Sequence, residues 1–127
     1  MVRKTYRGKN VTASGPYSHA VDADPFVFFS GQTAMNSETA EDLKGNIAEQ
    51  TKRCFTNLND VLEAANLTFD DVVKVNVYLT DMGNFNAMNE VYKTFFNDPY
   101  PARTCVAVLA LPLGAEVEIE FIAKRKA

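Results

Sequence analysis

One arginine stands at the entrance of an otherwise apolar run. In YPARTCVAVLALP, residues 100–112, Arg103 precedes Val106, Val108, Leu109 and Leu111. A guanidinium stays charged at any ordinary pH and is seldom buried without an anionic partner. Pro101-Ala102 stiffens the chain ahead of it, so its planar fork of donors is presented from a rigid strand start, an arrangement suited to bidentate recognition of a carboxylate. An internal salt bridge to Glu118 or Glu120 on a neighbouring strand meets the same need, and spacing alone leaves the two readings even. Those carboxylates form a second set. Glu116, Glu118 and Glu120 alternate with Val117, Ile119 and Phe121, so three acids and Ile122 share one strand face. Three charged groups do not enter a dry core unpaired. That face therefore meets water or lines a polar cavity at a subunit contact.

Other chemistries find less support. Ser18 and His19 are neighbours on a predicted strand and point to opposite faces, so they cannot serve as nucleophile and base, and His19 reads as a structural or surface residue. Cys105 lies two residues from Arg103 on the same strand face, and a nearby cation lowers a thiol pKa. With no histidine placed to act as its base, however, packing in a strand is the better reading. A metal site needs several convergent His, Cys or carboxylate ligands, whereas this chain has one histidine and two distant cysteines. No GxGxxG or GxxxxGK[ST] loop is present to cradle a phosphate.

The elements that position these groups follow from periodicity. FVFFS at 26–30 reads as a short strand entered through Pro25, with SHAV at 18–21 as its partner across the DADP turn. Between Asn46 and Asn66, Ile47, Cys54, Phe55, Leu58, Val61, Leu62 and Ala65 recur at helical spacing. Val73, Val75, Val77 and Leu79 alternate with polar residues and predict a half-buried strand. Phe85, Met88, Val91, Tyr92, Phe95 and Phe96 return to helical spacing until Pro99 and Pro101 break it. Two final strands fall near 103–110 and 116–124. The order predicts an α+β two-layer sandwich, with one mainly antiparallel sheet carrying both helices on a single face. The other face is left open. Cys105, Ala107 and Leu109 are expected there, which points to an oligomer.

The chain has 127 residues, 46% of them hydrophobic and 23% charged, and its net charge is −3. That length predicts a single domain spanning 1–127, able to bury a core without disulfides. Mild acidity with scattered basic residues weighs against a nucleic-acid surface. Lys124-Arg125-Lys126 reads as a solvated tail. No apolar run is long enough to span a bilayer, and the N-terminal basic residues have no apolar segment behind them, so the expected compartment is the cytoplasm. Cys54 and Cys105, in apolar surroundings, fit reduced thiols there.

GPYSHAV at 15–21, SGQ at 30–32, NEVYKTFF at 89–96, YPARTCVAV at 100–108 and VEIEFIA at 117–123 together resemble the RidA family, also called YjgF, over essentially the whole chain. The resemblance implies a chorismate-mutase-like fold assembled as a homotrimer with clefts between subunits. It implies hydrolytic deamination of short enamines and imines, such as 2-aminoacrylate and 2-aminocrotonate, to 2-ketoacids and ammonia, with no cofactor. Carried over by position, Arg103 would hold the substrate carboxylate and Glu118 would orient water or shuttle protons. Tyr17, Ser30, Gly31, Asn89 and Cys105 would line the cleft. The alternatives are a non-catalytic 2-ketoacid-binding regulator using the same cleft and, with less support, an RNA-acting translation inhibitor.

Overall fold

The computed structural model describes residues 2–9, 11, 15–34 and 45–126. Strands β1 (Lys4–Tyr6), β2 (Ala20–Ala23) and β3 (Phe26–Gln32) are followed by helix α1 (Ile47–Ala64), strand β4 (Val72–Leu79), helix α2 (Phe85–Tyr92) and strands β5 (Ala102–Ala107) and β6 (Val117–Lys124). The six strands form one sheet in the order β1-β2-β3-β6-β4-β5. Each neighbouring pair is antiparallel except β4 and β5, which are joined by α2 and run parallel. A parallel pair requires such a crossover, because a hairpin cannot return the chain in the same direction. The result is the expected α+β fold, a mostly antiparallel sheet with two helices.

The sheet works by alternation. Val75, Val77 and Leu79 of β4, Val117, Ile119, Phe121 and Ala123 of β6, and Val27 and Phe29 of β3 are buried in one core with Cys54, Phe55, Leu58, Val61 and Leu62 of α1 and Met88 and Tyr92 of α2. Both helices therefore cover the same face. Phe55 is its centre: its ring stacks on Phe95 at 4.5 Å and meets Phe69, Tyr92 and Phe96 edge-on within 5.9 Å. Helix α1 starts where the Asn46 side chain accepts the Glu49 amide at 3.1 Å, satisfying one of the amides that a first turn leaves unbonded. It ends at Ala64, and Asn66 two residues on takes a φ of 59° that asparagine tolerates better than most residues.

Several expectations are corrected. The sequence reading missed β1, a three-residue edge strand too short to show a period. SHAV enters the sheet only at Ala20, because the Ser18 carbonyl accepts the Ser30 hydroxyl and the buried His19 accepts the Gly8 amide at Nδ1. Helix α2 stops at Tyr92, although Phe95 and Phe96 still pack on the core through a tighter turn in which the Phe95 amide donates to the Tyr92 carbonyl. Arg103 and Cys105 pair with Val75 and Val77, so Cys105 and Ala107 lie on the helix-covered face rather than the open one. Leu109 lies beyond the strand and is wholly exposed. Glu116 precedes β6; its carboxylate accepts from the Gln50 side chain at 3.0 Å, leaving Glu118 and Glu120 as the acids of the open face. Arg125 is no solvated tail residue, since its guanidinium donates to Asp22 at 2.9 Å, to the Tyr6 hydroxyl and to the Ala65 carbonyl at the end of α1.

The Phe55 cluster links both helices to the sheet. Phe55→Ala should cost about 3–5 kcal/mol of unfolding free energy, read from urea denaturation, with the transition midpoint falling accordingly.

Candidate functional site

The predicted site residues fall into two groups on opposite faces of the sheet. Arg103 extends from β5, an edge strand bonded to β4 alone, on the side covered by helices. Its Nη1 donates to Asn89 Oδ1 at 2.5 Å, and its guanidinium carbon lies 4.6 Å from the Tyr92 ring centre and 5.5 Å from that of Phe85. Asn89, Tyr92, Lys93, Tyr100, Pro101 and Arg103 line a cleft of about 400 Å³. The three-residue connection at 97–99 leads directly into this rim. The internal salt bridge to Glu118 or Glu120 is not formed. Those acids face the other way, because Glu118 pairs with Tyr78 and Glu120 with Asn76, whereas Arg103 pairs with Val75.

Cys105 lies two residues along β5 from Arg103, half-buried. Burial pushes its thiol up, with the Arg103 charge pulling weakly the other way. A thiol held protonated is a poor nucleophile, in keeping with a packing role.

The second group gathers where β3 meets β6. The chain crosses a register irregularity between Phe29 and Gln32, and Ser30 and Gly31 sit within it. The Ser30 hydroxyl donates to the Ser18 carbonyl at 2.6 Å, bringing the Tyr17-Ser18 segment alongside. A Cβ on Gly31 would come within 2.5 Å of Glu118 Oε2, so only glycine lets this carboxyl lie directly over the backbone. Close approach is the requirement here. Burial pushes the Glu118 carboxyl up from its ordinary range, and the neighbouring Glu120 charge adds to the shift. Glu120 is itself engaged: it accepts from the Asn76 amide at 3.2 Å and from the Tyr78 hydroxyl, whose pKa is pushed up to about 12 by that bond.

The two groups thus offer complementary chemistry that one copy of the chain does not bring together. One is a fixed cation fit for a carboxylate. The other is a carboxyl whose proton affinity is raised above the ordinary glutamate range, fit for acid–base work. Among the described residues no cluster of His, Cys, Asp and Glu could hold a metal ion. Among the described residues no helix is long and apolar enough to cross a membrane. The sequence reading missed Tyr92, Phe85 and Tyr100 as neighbours of Arg103. Phe85, Asn89 and Tyr92 at i, i+4 and i+7 carried that signal, but the two aromatics read as core.

The family model described as Endoribonuclease L-PSP matches residues 8–125. A RutC family protein of Pyrococcus abyssi is 46% identical over 112 residues, covering 88% of each chain. The 2-iminobutanoate/2-iminopropanoate deaminase of Mus musculus is 43% identical over 115 residues, covering 91% of this chain and 85% of its own. Among solved structures, RidA from an Antarctic Psychrobacter superposes with a TM-score of 0.88 at 41% identity, covering 96% of this chain and 99% of that one.

A raised carboxyl pKa has a consequence for stability. Because the folded state holds the Glu118 proton more tightly than the unfolded state, wild-type stability falls as pH rises from the ordinary glutamate range through the raised value. Glu118→Gln should therefore be more stable than wild type at about pH 7, and its advantage should vanish below about pH 4, as measured by urea denaturation across that range.

Proposed function

The chain belongs to the RidA/YjgF/L-PSP family, and on that premise we propose that it hydrolyses short enamines and imines, such as 2-aminoacrylate and 2-aminocrotonate, to 2-ketoacids and ammonia. The observation that carries this reading is the Arg103 guanidinium, held at a cleft edge by an amide and two rings with its charge met by no carboxylate among the described residues. The names of the mouse and human relatives, both 2-iminobutanoate/2-iminopropanoate deaminases, support the same substrate class.

The enamine enters as its imine tautomer, its carboxylate bound in a forked pair by Arg103. Asn89 bonds one edge of the guanidinium, while Cys105 contributes strand backbone along the same wall. Glu118 takes a proton from a water as that water's oxygen adds to the imine carbon, and hands that proton to the imine nitrogen to give the carbinolamine. In the collapse Glu118 takes the hydroxyl proton as the carbonyl forms and delivers it to the departing nitrogen, so the carbon–nitrogen bond breaks to release ammonia and Glu118 ends as it began. Acid–base help of this kind contributes about 10²–10⁴ in rate. Glu118 lies over the Gly31 backbone, and Tyr17 and Ser30 would line the cleft beside it. No cofactor takes part in these steps.

Since Arg103 and Glu118 occupy opposite faces of the sheet, the complete site needs Arg103 from one copy and Glu118 from another. A homotrimer with its clefts between subunits supplies that arrangement, and the apolar groups left on the open face, with Phe28 47% and Val106 42% exposed, support an assembly. We place the protein in the cytoplasm, where two free thiols are stable. The endoribonuclease description of the family has less support here. The single histidine is buried with its Nδ1 committed to the Gly8 amide, and the net charge is −3.

The test is a coupled assay in which a pyridoxal-phosphate threonine dehydratase generates 2-aminocrotonate and ketoacid appearance is followed. Wild type should accelerate it. Arg103→Ala should lose about 10²-fold or more in kcat/KM while keeping its fold and assembly. If wild type bound 2-ketobutyrate by calorimetry but accelerated nothing, the protein would be a ketoacid-binding regulator instead.

A further inference from the structure

Arg103 is oriented without being neutralised. Among the described residues no carboxylate forms a salt bridge with it. Its partners are the amide oxygen of Asn89 at 2.5 Å and the rings of Tyr92 at 4.6 Å and Phe85 at 5.5 Å. All three come from one face of α2, at i, i+4 and i+7. The Tyr92 ring is fixed in turn, being 5% exposed and packed 5.8 Å from Phe55 and 5.0 Å from Phe96.

We infer that Tyr92, assisted by Phe85, is a positioning residue: its ring is a platform that holds the Arg103 guanidinium in its binding orientation before the ligand arrives. The inference rests on the reading of Arg103 as the carboxylate-binding group. An arginine on an edge strand carries a large rotamer entropy, and ordering it at the moment of binding weakens affinity. A carboxylate partner would order it too, but would compete with the incoming ligand for the same donors. Aromatic faces attract the cation through their quadrupole and leave the in-plane N–H donors free. An amide oxygen engages one donor and brings no net charge. Platform and core are continuous, so the rigidity of the Phe55 cluster reaches the cleft through Tyr92.

The ring rather than the hydroxyl should matter. The Tyr92 hydroxyl is buried and has no hydrogen-bond partner among the described residues, so Tyr92→Phe removes nothing the platform uses. The experiment compares wild type, Tyr92→Phe and Tyr92→Leu by the ¹⁵N relaxation and chemical shift of the Arg103 Nε–H and by calorimetric titration with 2-ketobutyrate. Wild type and Tyr92→Phe should show a rigid, ring-shifted Arg103 signal and similar Kd. Tyr92→Leu should show a mobile, unshifted signal and a Kd raised about two- to thirty-fold, the span of one cation–π contact. An unchanged Arg103 signal in Tyr92→Leu overturns the platform whatever the protein hydrolyses. A mobile Arg103 with unchanged Kd overturns the carboxylate reading of the cleft and leaves the platform standing. Should Tyr92→Leu not fold, Phe85→Leu, at a half-buried ring, carries the same comparison.

Discussion

Strand β6 lies between β3 and β4, and its register decides which side of the sheet each functional group occupies. Pairing Ile119 with Val77 and Phe121 with Val75 sends the apolar residues under the helices and turns Glu118 and Glu120 outward. A slip of one residue would drive both carboxylates into the Phe55 cluster and expose Ile119 and Phe121. The desolvation of two charges makes that alternative inaccessible. The same pairing carries through β4 to β5, where it assigns Arg103 to the helix side opposite Val75. The separation of Arg103 from Glu118 is thus a consequence of how the core is buried.

From that separation follows the functional logic. A cation and an acid on the same face would form an ion pair, each spending on the other the charge needed for a ligand. Holding them apart leaves the donors of the arginine available and lets burial raise the proton affinity of Glu118. Each group is then shaped by its own surroundings: Asn89, Tyr92 and Phe85 on one side, Gly31 and Glu120 on the other. Packing and electrostatics are linked through one strand's parity, and the proposed need for a second copy follows from it.

Much of this was legible in the residues. Alternation in Val73–Leu79 and 117–123, and helical spacing from Ile47 and from Phe85, located the major elements within a few residues. Arg103 stood out because a guanidinium at the head of an apolar run demands a reason. What periodicity does not reveal is which face of an edge strand is covered. Cys105 and Ala107 were assigned to the open face because β5 shows little contrast between its two sides, and only its pairing with Val77 and Leu79 settles the matter. Lys124-Arg125-Lys126 looked like a tail because the partners of Arg125, Asp22 and Tyr6, lie more than a hundred residues away. Tyr92 was read as core, and it is core; its second role is visible only once Arg103 is seen against its ring.

The central claim is that Arg103 and Glu118 of different copies make one site, and complementation measures it most directly. Arg103→Ala and Glu118→Gln chains, each inactive alone, would be unfolded together, refolded as a mixture and assayed for imine hydrolysis. In a cyclic assembly formed at random from equal amounts, about one quarter of the sites combine a native Arg103 with a native Glu118 from the neighbouring copy. Recovery of roughly that fraction of wild-type activity is the predicted result. Mixed assemblies that form, as shown by mass spectrometry, yet stay as inactive as either parent would show that both residues must belong to one chain.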